Sequence, residues 1–201
     1  MPAGRDGHTG DQSGFKRLTL PLDRDVLAEL RAGDALLLSG PLFTARDAGH
    51  VRILQALEEA GELPYGLAGQ AVFYAGPTPP SAGRPLGSVG PTTAGRMDFA
   101  APALYRAGVV ASIGKGSRGQ EVIDACVETG SVYLCCIGGC AALLAKSVVA
   151  AQTVAWEDLG TEALRRLEVV DFPCFVAVDA LGNDVYAQVA ARATTASEGK
   201  R

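Results

Sequence analysis

Short apolar runs of strand length alternate with helix-length amphipathic stretches along most of this chain, and that rhythm most constrains its fold. Residues 34–39, 70–74, 109–113 and 131–137 are apolar runs too short for helices, and they predict buried strands. Residues 45–60 and 120–128 predict helices. In the first of these, Ile53, Leu57 and Ala60 share one face and Gly61 stops the helix. Thr44 and Asp47 have capping-box spacing, with Asp replacing the usual Glu or Gln, so Asp47 reads as a cap rather than a catalyst. Residues 17–22 alternate as a first strand. Pro102 opens a short helix ending near Gly108, and residues 140–149 predict a helix opened by Gly138-Gly139. Residues 169–178, interrupted by Pro173, and residues 184–189 predict two strands around the turn Leu181-Gly182-Asn183. Strands alternating with helices make an α/β domain, and the late hairpin adds antiparallel pairing, giving a mixed sheet.

With 201 residues the chain can build one domain with a real core. The polar, glycine-rich residues 1–15 and the residues 190–201 are expected to be disordered tails around a domain of residues 16–189. The formal net charge of −4, with no basic block, argues against a nucleic-acid partner, because phosphates reward clustered Lys and Arg. Functional cations must then be local and few, and Arg46, Arg96 and Lys115 are the candidates. No apolar run reaches membrane-spanning length and the start lacks the apolar core of a signal peptide, so no membrane partner and a cytoplasmic location are expected. Five cysteines fit no secreted disulfide framework. Strand alternation points Cys135 and Cys136 to opposite faces, and the C-C-x3-C spacing through Cys140 matches no zinc or iron–sulphur pattern. These cysteines read as small buried hydrophobes, with no metal held by this chain.

The loops are the chemical part. Gly90-Pro91-Thr92-Thr93-Ala94-Gly95-Arg96-Met97-Asp98 packs two hydroxyls, a guanidinium and a carboxylate between glycines and a proline. Glycine permits close approach to a ligand, and a guanidinium offers a planar fork of donors that matches a carboxylate. Read alone, such a loop is a turn with a helix cap. It is accompanied by Ser39-Gly40-Pro41-Leu42-Phe43-Thr44-Ala45-Arg46-Asp47-Ala48-Gly49-His50, by Tyr74-Ala75-Gly76-Pro77 and by Ile113-Gly114-Lys115-Gly116-Ser117-Arg118. In this order and spacing the set resembles the beta subunit, or C-terminal domain, of the class I iron–sulphur hydro-lyases, the family of iron–sulphur fumarate hydratase and L-tartrate dehydratase.

The resemblance implies a swivelling β/β/α domain. It implies reversible hydration of a small dicarboxylic acid, with fumarate and malate first and tartrate second. Breaking the C–O bond calls for a Lewis acid, and removing the neighbouring proton calls for a base and for cations where charge grows. The resemblance assigns the Lewis acid to a [4Fe–4S] cluster held by three cysteines of a separate alpha subunit, so the chain would be half of an active site in a hetero-oligomer. It makes Arg46 and Arg96 binders of substrate carboxylates, Lys115 a substrate-binding and catalytic cation, and Thr92 a participant in proton transfer. A threonine hydroxyl is no base unaided and needs an adjacent proton acceptor, which the resemblance places on the alpha part. Asp47, His50, Thr93 and Asp98 are then supporting residues: His50 either takes part in catalysis or orients the loop, Thr93 caps the following turn and Asp98 ties the loop down. The family more often shows Lys-Gly-Asn-Arg-Ser where this chain has Lys115-Gly116-Ser117-Arg118-Gly119.

Two other readings stay open on the residues alone. Gly114 to Gly119 fits G-x-G-x-x-G between a strand and a helix, as in a dinucleotide-binding oxidoreductase, although Leu134-Cys135-Cys136-Ile137 occupies the region where the ribose-binding acid belongs. The other is a non-enzymatic small-acid binding module. Gly138-Gly139-Cys140 either presents helix N–H groups to the site or lets a helix pack closely on a strand.

Overall fold

The computed structural model describes residues 14–80 and 83–198. Along the chain come strand β1 (Phe15–Thr19), helix α1 (Arg24–Glu29), β2 (Ala35–Thr44), α2 (Asp47–Ala60), β3 (Ala71–Phe73), α3 (Ala101–Arg106) and β4 (Ala111–Gly114). Then follow α4 (Gln120–Thr129), β5 (Val132–Cys135), α5 (Ala141–Leu144), β6 (Val148–Ala155), β7 (Leu164–Val178) and α6 (Val185–Glu198). Strands β1 to β5 lie parallel in sequence order. The long β7 runs antiparallel to β5, to β2 and to β6. Because β7 pairs with both β2 and β5, strands β2-β3-β4-β5-β7 close into a ring, with β1 and β6 attached at its sides. This is the α/β architecture with a mixed sheet that the sequence predicts.

Every residue of β3, β4 and β5 is buried, which is why these strands read as continuous apolar runs. Strand alternation divides their side chains between two cores. Leu36, Leu38, Phe73, Ile113, Leu134, Phe172 and Val176 fill one. Val72, Tyr74 and Tyr133 meet Ile53, Leu104 and Val122 from α2, α3 and α4 in the other. Cys136 falls in the first core and Cys135 in the second, on opposite faces as expected. At Gly40, where the β2–β7 register shifts, φ is +119° and a Cβ would stand 2.7 Å from the Leu20 carbonyl oxygen, so the bulge takes glycine.

Several expected elements come out differently. The helix expected over residues 140–149 is only the short α5; from Val148 the chain enters β6, whose partner β7 lies beyond the reach of a local pattern. β7 is unbroken at Pro173, which sits opposite Leu37, and it begins at Leu164. The strand expected over residues 184–189 is the start of α6, and the hairpin is reduced to a single bridge between Val178 and Asp184. α6 continues through residues 190–198, where a tail without structure was expected; residues 199–201 and 1–13 lie outside the described residues. The first strand starts at Phe15 and α1 follows it. Among the described residues no helix is long and apolar enough to cross a membrane.

The turn before α6 is organised by Asp179, whose buried carboxylate accepts the N–H groups of Ala32, Leu181 and Asn183 and the Asn183 side-chain amide, at 2.9 to 3.2 Å. Replacing it leaves those donors without an acceptor, and each charged hydrogen bond of this kind is worth about 1.5–3 kcal/mol. Asp179→Ala is expected to lower stability by roughly 2–4 kcal/mol, read as a drop in the urea midpoint at unchanged slope. A midpoint equal to that of the parent chain would refute this role.

Candidate functional site

Parallel strands end in loops at their carboxyl termini, and open α/β sheets bind ligands there. β2 ends at Thr44 and leads to Arg46; β3 leads to Tyr74-Ala75-Gly76; β4 ends at Gly114 and leads to Lys115; β5 leads to Gly138. Every sequence-predicted site residue except those of the Thr92 loop and the α2 turn's His50 lies directly on one of these ends or on the turn after it.

The Thr92 loop is held by backbone pairing. Thr92 N–H donates to the Tyr74 carbonyl at 2.7 Å, Lys115 N–H donates to the Thr92 carbonyl at 3.1 Å, and Ala94 N–H donates to the Lys115 carbonyl at 2.8 Å. Thr93 and Lys115 thus form a parallel bridge that brings the two loops together. Gly114 makes the approach possible, because a Cβ there would stand 2.8 Å from that of Ala94. Thr92 is half-buried, and among the described residues its hydroxyl has no hydrogen-bond partner. Thr93 occupies the N-cap position of the turn at Ala94–Met97, but its side chain makes no capping bond, in contrast to the expected cap.

Arg46, Asp47 and Arg96 meet through their side chains. Arg46 Nε donates to Asp47 Oδ2 at 3.0 Å and stands 3.3 Å from Glu162 Oε1; Arg96 Nη2 reaches Asp47 Oδ1 at 2.7 Å. Burial alone would raise the Asp47 pKa. The hydrogen bond from Arg46 and the charges of Arg96 and Arg46 outweigh it and hold the carboxyl below the usual carboxylate range. Asp47 is therefore a bridge between two guanidiniums and not the expected helix cap. The capping task falls to Glu162, whose Oε2 accepts the Ala48 N–H at 2.7 Å, while Thr44 Oγ1 is buried without a partner. No local motif could have shown this, because Glu162 is 114 residues away.

Lys115 is half-buried, with its stem against Gly138, and its ammonium has no hydrogen-bond or ionic partner among the described residues. Its loop is held from both sides: Gly116 N–H donates to Tyr186 Oη at 3.1 Å and Tyr133 Oη donates to the Gly116 carbonyl at 2.9 Å. Asp98 ties the Thr92 loop to the Lys115 loop, accepting from Arg118 Nε and from Gly119 N–H, both at 2.7 Å. The buried Arg118 also donates to Ser112 Oγ and lies over the rings of Tyr74 and Tyr133, 5.3 and 4.7 Å from their centres. Tyr133, Tyr186 and Arg118 were not singled out from sequence; Arg118 stood in a quoted motif, but its partners come from distant segments. The Asp98 carboxylate at the start of α4 also answers the G-x-G-x-x-G pattern: it sits where a dinucleotide pyrophosphate would have to lie, so the turn serves loop packing.

His50 lies fully buried beneath this surface, edge-on to Tyr74 with ring centres 5.0 Å apart, and neither ring nitrogen has a hydrogen-bond partner. It supports the strand end that holds Thr92. Among the described residues no group of three or more His, Cys, Asp or Glu is placed to hold a metal ion. Cys135, Cys136, Cys140 and Cys174 border one apolar cavity of about 270 Å3. Burial pushes the Cys136 and Cys174 thiols up, away from the thiolate a metal needs, and Cys135 Sγ is hydrogen-bonded to Tyr186 Oη.

Residues 6–189 match the family described as Fumarase C-terminus. The chain belongs to that family. It is 40% identical over 171 residues to an anaerobic class I fumarate hydratase of Escherichia coli strain K12, and 39% identical over 178 residues to fumarate hydratase 2 of Leishmania major. Those matches cover 83% and 87% of this chain but 31% of each relative, so the chain spans less than a third of the fumarate hydratases it matches. Against the L(+)-tartrate dehydratase subunit beta of Escherichia coli strain K12 it is 35% identical over 178 residues, 86% of this chain and 87% of that subunit. The resemblance read from the loops is thereby confirmed at the level of the family.

Burial, reinforced by the Arg118 charge, lowers the His50 pKa from 6.5 to about 4, against weaker opposing effects at Arg46 and Asp47. The unfolded chain therefore binds a proton at this residue between about pH 6.5 and 4 that the folded chain refuses, so stability falls as pH falls through that window. The loss is on the order of 2–3 kcal/mol. Asp47 and Asp179, held below the ordinary carboxylate value, add their own loss at lower pH, and Glu128, lowered by Arg106, begins to lose its contribution near the bottom of the window; both effects are common to the parent chain and the His50 variant. Urea titrations of the parent chain and of His50→Phe at pH 7 and pH 4.5 check this; an equally steep loss in both would refute it.

Proposed function

We propose that this chain is the beta subunit of a hydro-lyase that adds or removes water at a small dicarboxylic acid, with fumarate and malate first and tartrate second. One observation carries the reading: two loops far apart in sequence are bonded backbone to backbone so that Thr92 and Lys115 adjoin, while Arg96 of the same loop joins Arg46 through Asp47. Membership of the Fumarase C-terminus family supports it. So does the match to a tartrate dehydratase beta subunit, which covers 87% of that subunit.

In this reading Arg46 and Arg96 bind substrate carboxylates through guanidinium N–H forks. Removing a proton beside a carboxylate drives negative charge onto its oxygens, and Lys115, with no partner of its own, answers that charge as it develops. Thr92 takes part in the proton transfer through its free hydroxyl and requires an acceptor from the partner subunit. Asp47 holds the two arginines together, Asp98 fixes one loop on the other, and His50 and Thr93 support them. The described thiols and carboxylates of this chain do not fit a [4Fe–4S] cluster, and the reading assigns that cluster to the alpha subunit. The complex is placed in the cytoplasm.

Two outcomes test this. The purified chain alone should carry no stoichiometric iron–sulphur chromophore and negligible dehydratase activity; a cluster in the isolated chain would overturn the division of labour. In the complex reconstituted with its alpha subunit, Arg96→Ala should cost on the order of 2–5 kcal/mol in kcat/KM for the substrate, the loss expected for a charged hydrogen-bond partner. An unchanged kcat/KM would remove Arg96 from the site.

A further inference from the structure

A second cavity, of about 310 Å3, opens beside the proposed diacid site, bordered by Pro77, Thr78, Leu86, Ala151, Thr153 and Arg165. Its position follows from the fold. Arg165, on β7, stands in register with Thr44 of β2, two residues before Arg46, and with Thr153 of β6. Pro77 follows Gly76, where a Cβ would stand 3.1 Å from Arg46 Cδ and 3.1 Å from the Thr161 carbonyl oxygen. The cavity and the Arg46 guanidinium are thus separated by one strip of backbone.

What sets the cavity apart is an uncompensated charge. Arg165 donates through Nη1 to Thr153 Oγ1 and through Nη2 to the Gly160 carbonyl at 2.9 Å, both neutral acceptors. Its Nε is buried without a partner. Among the described residues it forms no ion pair. The other partly or fully buried arginines of the sheet ends are treated differently: Arg46 has Asp47 and Glu162, and Arg118 has Asp98. Arg165 is half-buried, and a guanidinium in that position without a counter-charge gains from an anion placed in the cavity.

The rest of the wall selects the anion. Pro77, Leu86 and Ala151 are apolar, and among the described residues no second cation borders the cavity, so a dianion would leave one charge unmatched. The volume is at the small end of ligand sites, which rules out a nucleotide. We propose that this cavity is a binding site for a short-chain monocarboxylate, its carboxylate on the Arg165 guanidinium and its aliphatic body against Pro77, Leu86 and Ala151. The site is separate from the dicarboxylate cup and does not depend on the hydro-lyase reading.

The test is a heteronuclear NMR titration of the full chain with sodium 2-methylpropanoate, with inorganic phosphate and sodium chloride run at matched ionic strength. The carboxylate should give saturable shifts at the Arg165 Nε–H and at the amides of Thr78, Gly160 and Thr161, larger than those from either inorganic salt. Arg165→Gln should weaken binding at least tenfold. Because Arg165 also holds Thr153 and Gly160, Ala151→Met serves as the second variant: it fills the cavity, leaves the cation in place and should abolish the shifts. Phosphate shifting these signals while the carboxylate does not would overturn the ligand class. Carboxylate shifts that persist in Ala151→Met, or absence of saturable shifts in the parent chain, would overturn the site. The readout needs no alpha subunit and no dicarboxylate, so failure of the proposed reaction leaves it unaffected.

Discussion

The pairing of Arg118 with Asp98 is the constraint on which the loop surface rests. A guanidinium whose side chain is fully buried costs several kcal/mol unless it is paired and hydrogen-bonded. Here Asp98 supplies the charge, Ser112 accepts a hydrogen bond, and the faces of Tyr74 and Tyr133 take the cation between them. Burial works against the charged form, and the hydrogen-bonded Asp98 carboxylate outweighs it, so the group stays a cation. Each partner comes from a different part of the fold: Asp98 from the Thr92 loop, Ser112 from β4, Tyr74 from the end of β3, Tyr133 from β5. Losing the pair would strand a buried charge and release the two loops from each other at once.

The ring of strands explains why those loops can meet. β3, β4 and β5 are only three or four residues long, so their carboxyl ends lie in one layer, and β7 closes the ring by pairing with strands at both of its edges. Backbone partners replace side-chain anchors there: the bonds from Thr92 to Tyr74 and from Lys115 to Thr92 extend the parallel ladder one step past the strands. Thr92 and Lys115, the residues proposed to act on the substrate, thus sit on a continuation of the sheet, which is stiffer than a free loop.

Much of this was legible in the sequence, and what was missed shares one physical cause. The parallel strands, α2 and α4 were visible because their periodicity is local and their burial uniform. The opposite placement of Cys135 and Cys136 followed from alternation alone. From sequence Asp98 reads only as tying down its own loop; its bonds to Arg118 and Gly119, which join that loop to the next, come from a segment no local pattern could point to. Ala141-Ala142-Leu143-Leu144 does start as a helix, but Val148 onward is captured by β7, and tertiary pairing overrides helix propensity there. Val185-Tyr186-Ala187-Gln188-Val189 alternates well enough to pass for a strand, and its true period shows only over the full length of α6. The Thr44–Asp47 capping pattern was a sound local inference displaced by Glu162, and Tyr186 acts on Gly116 across 70 residues.

Charge counting sets the terms on which such a surface can hold a diacid. In the proposed cup three cations, Arg46, Arg96 and Lys115, stand against two carboxylates, Asp47 and Glu162, which leaves one net positive charge. Asp47 is needed because two guanidiniums alone would repel each other, and an acid between them keeps both forks oriented without ligand. The same acid reduces the field available to a dianion, which needs two charges balanced before it leaves water. A dicarboxylate is therefore only half neutralised by this chain, and the missing charge must come from whatever covers the carboxyl ends of the strands. On the proposed reading, that imbalance gives an electrostatic reason for a divided active site: this chain orients the diacid, and a second polypeptide that completes the cavity makes the hold firm.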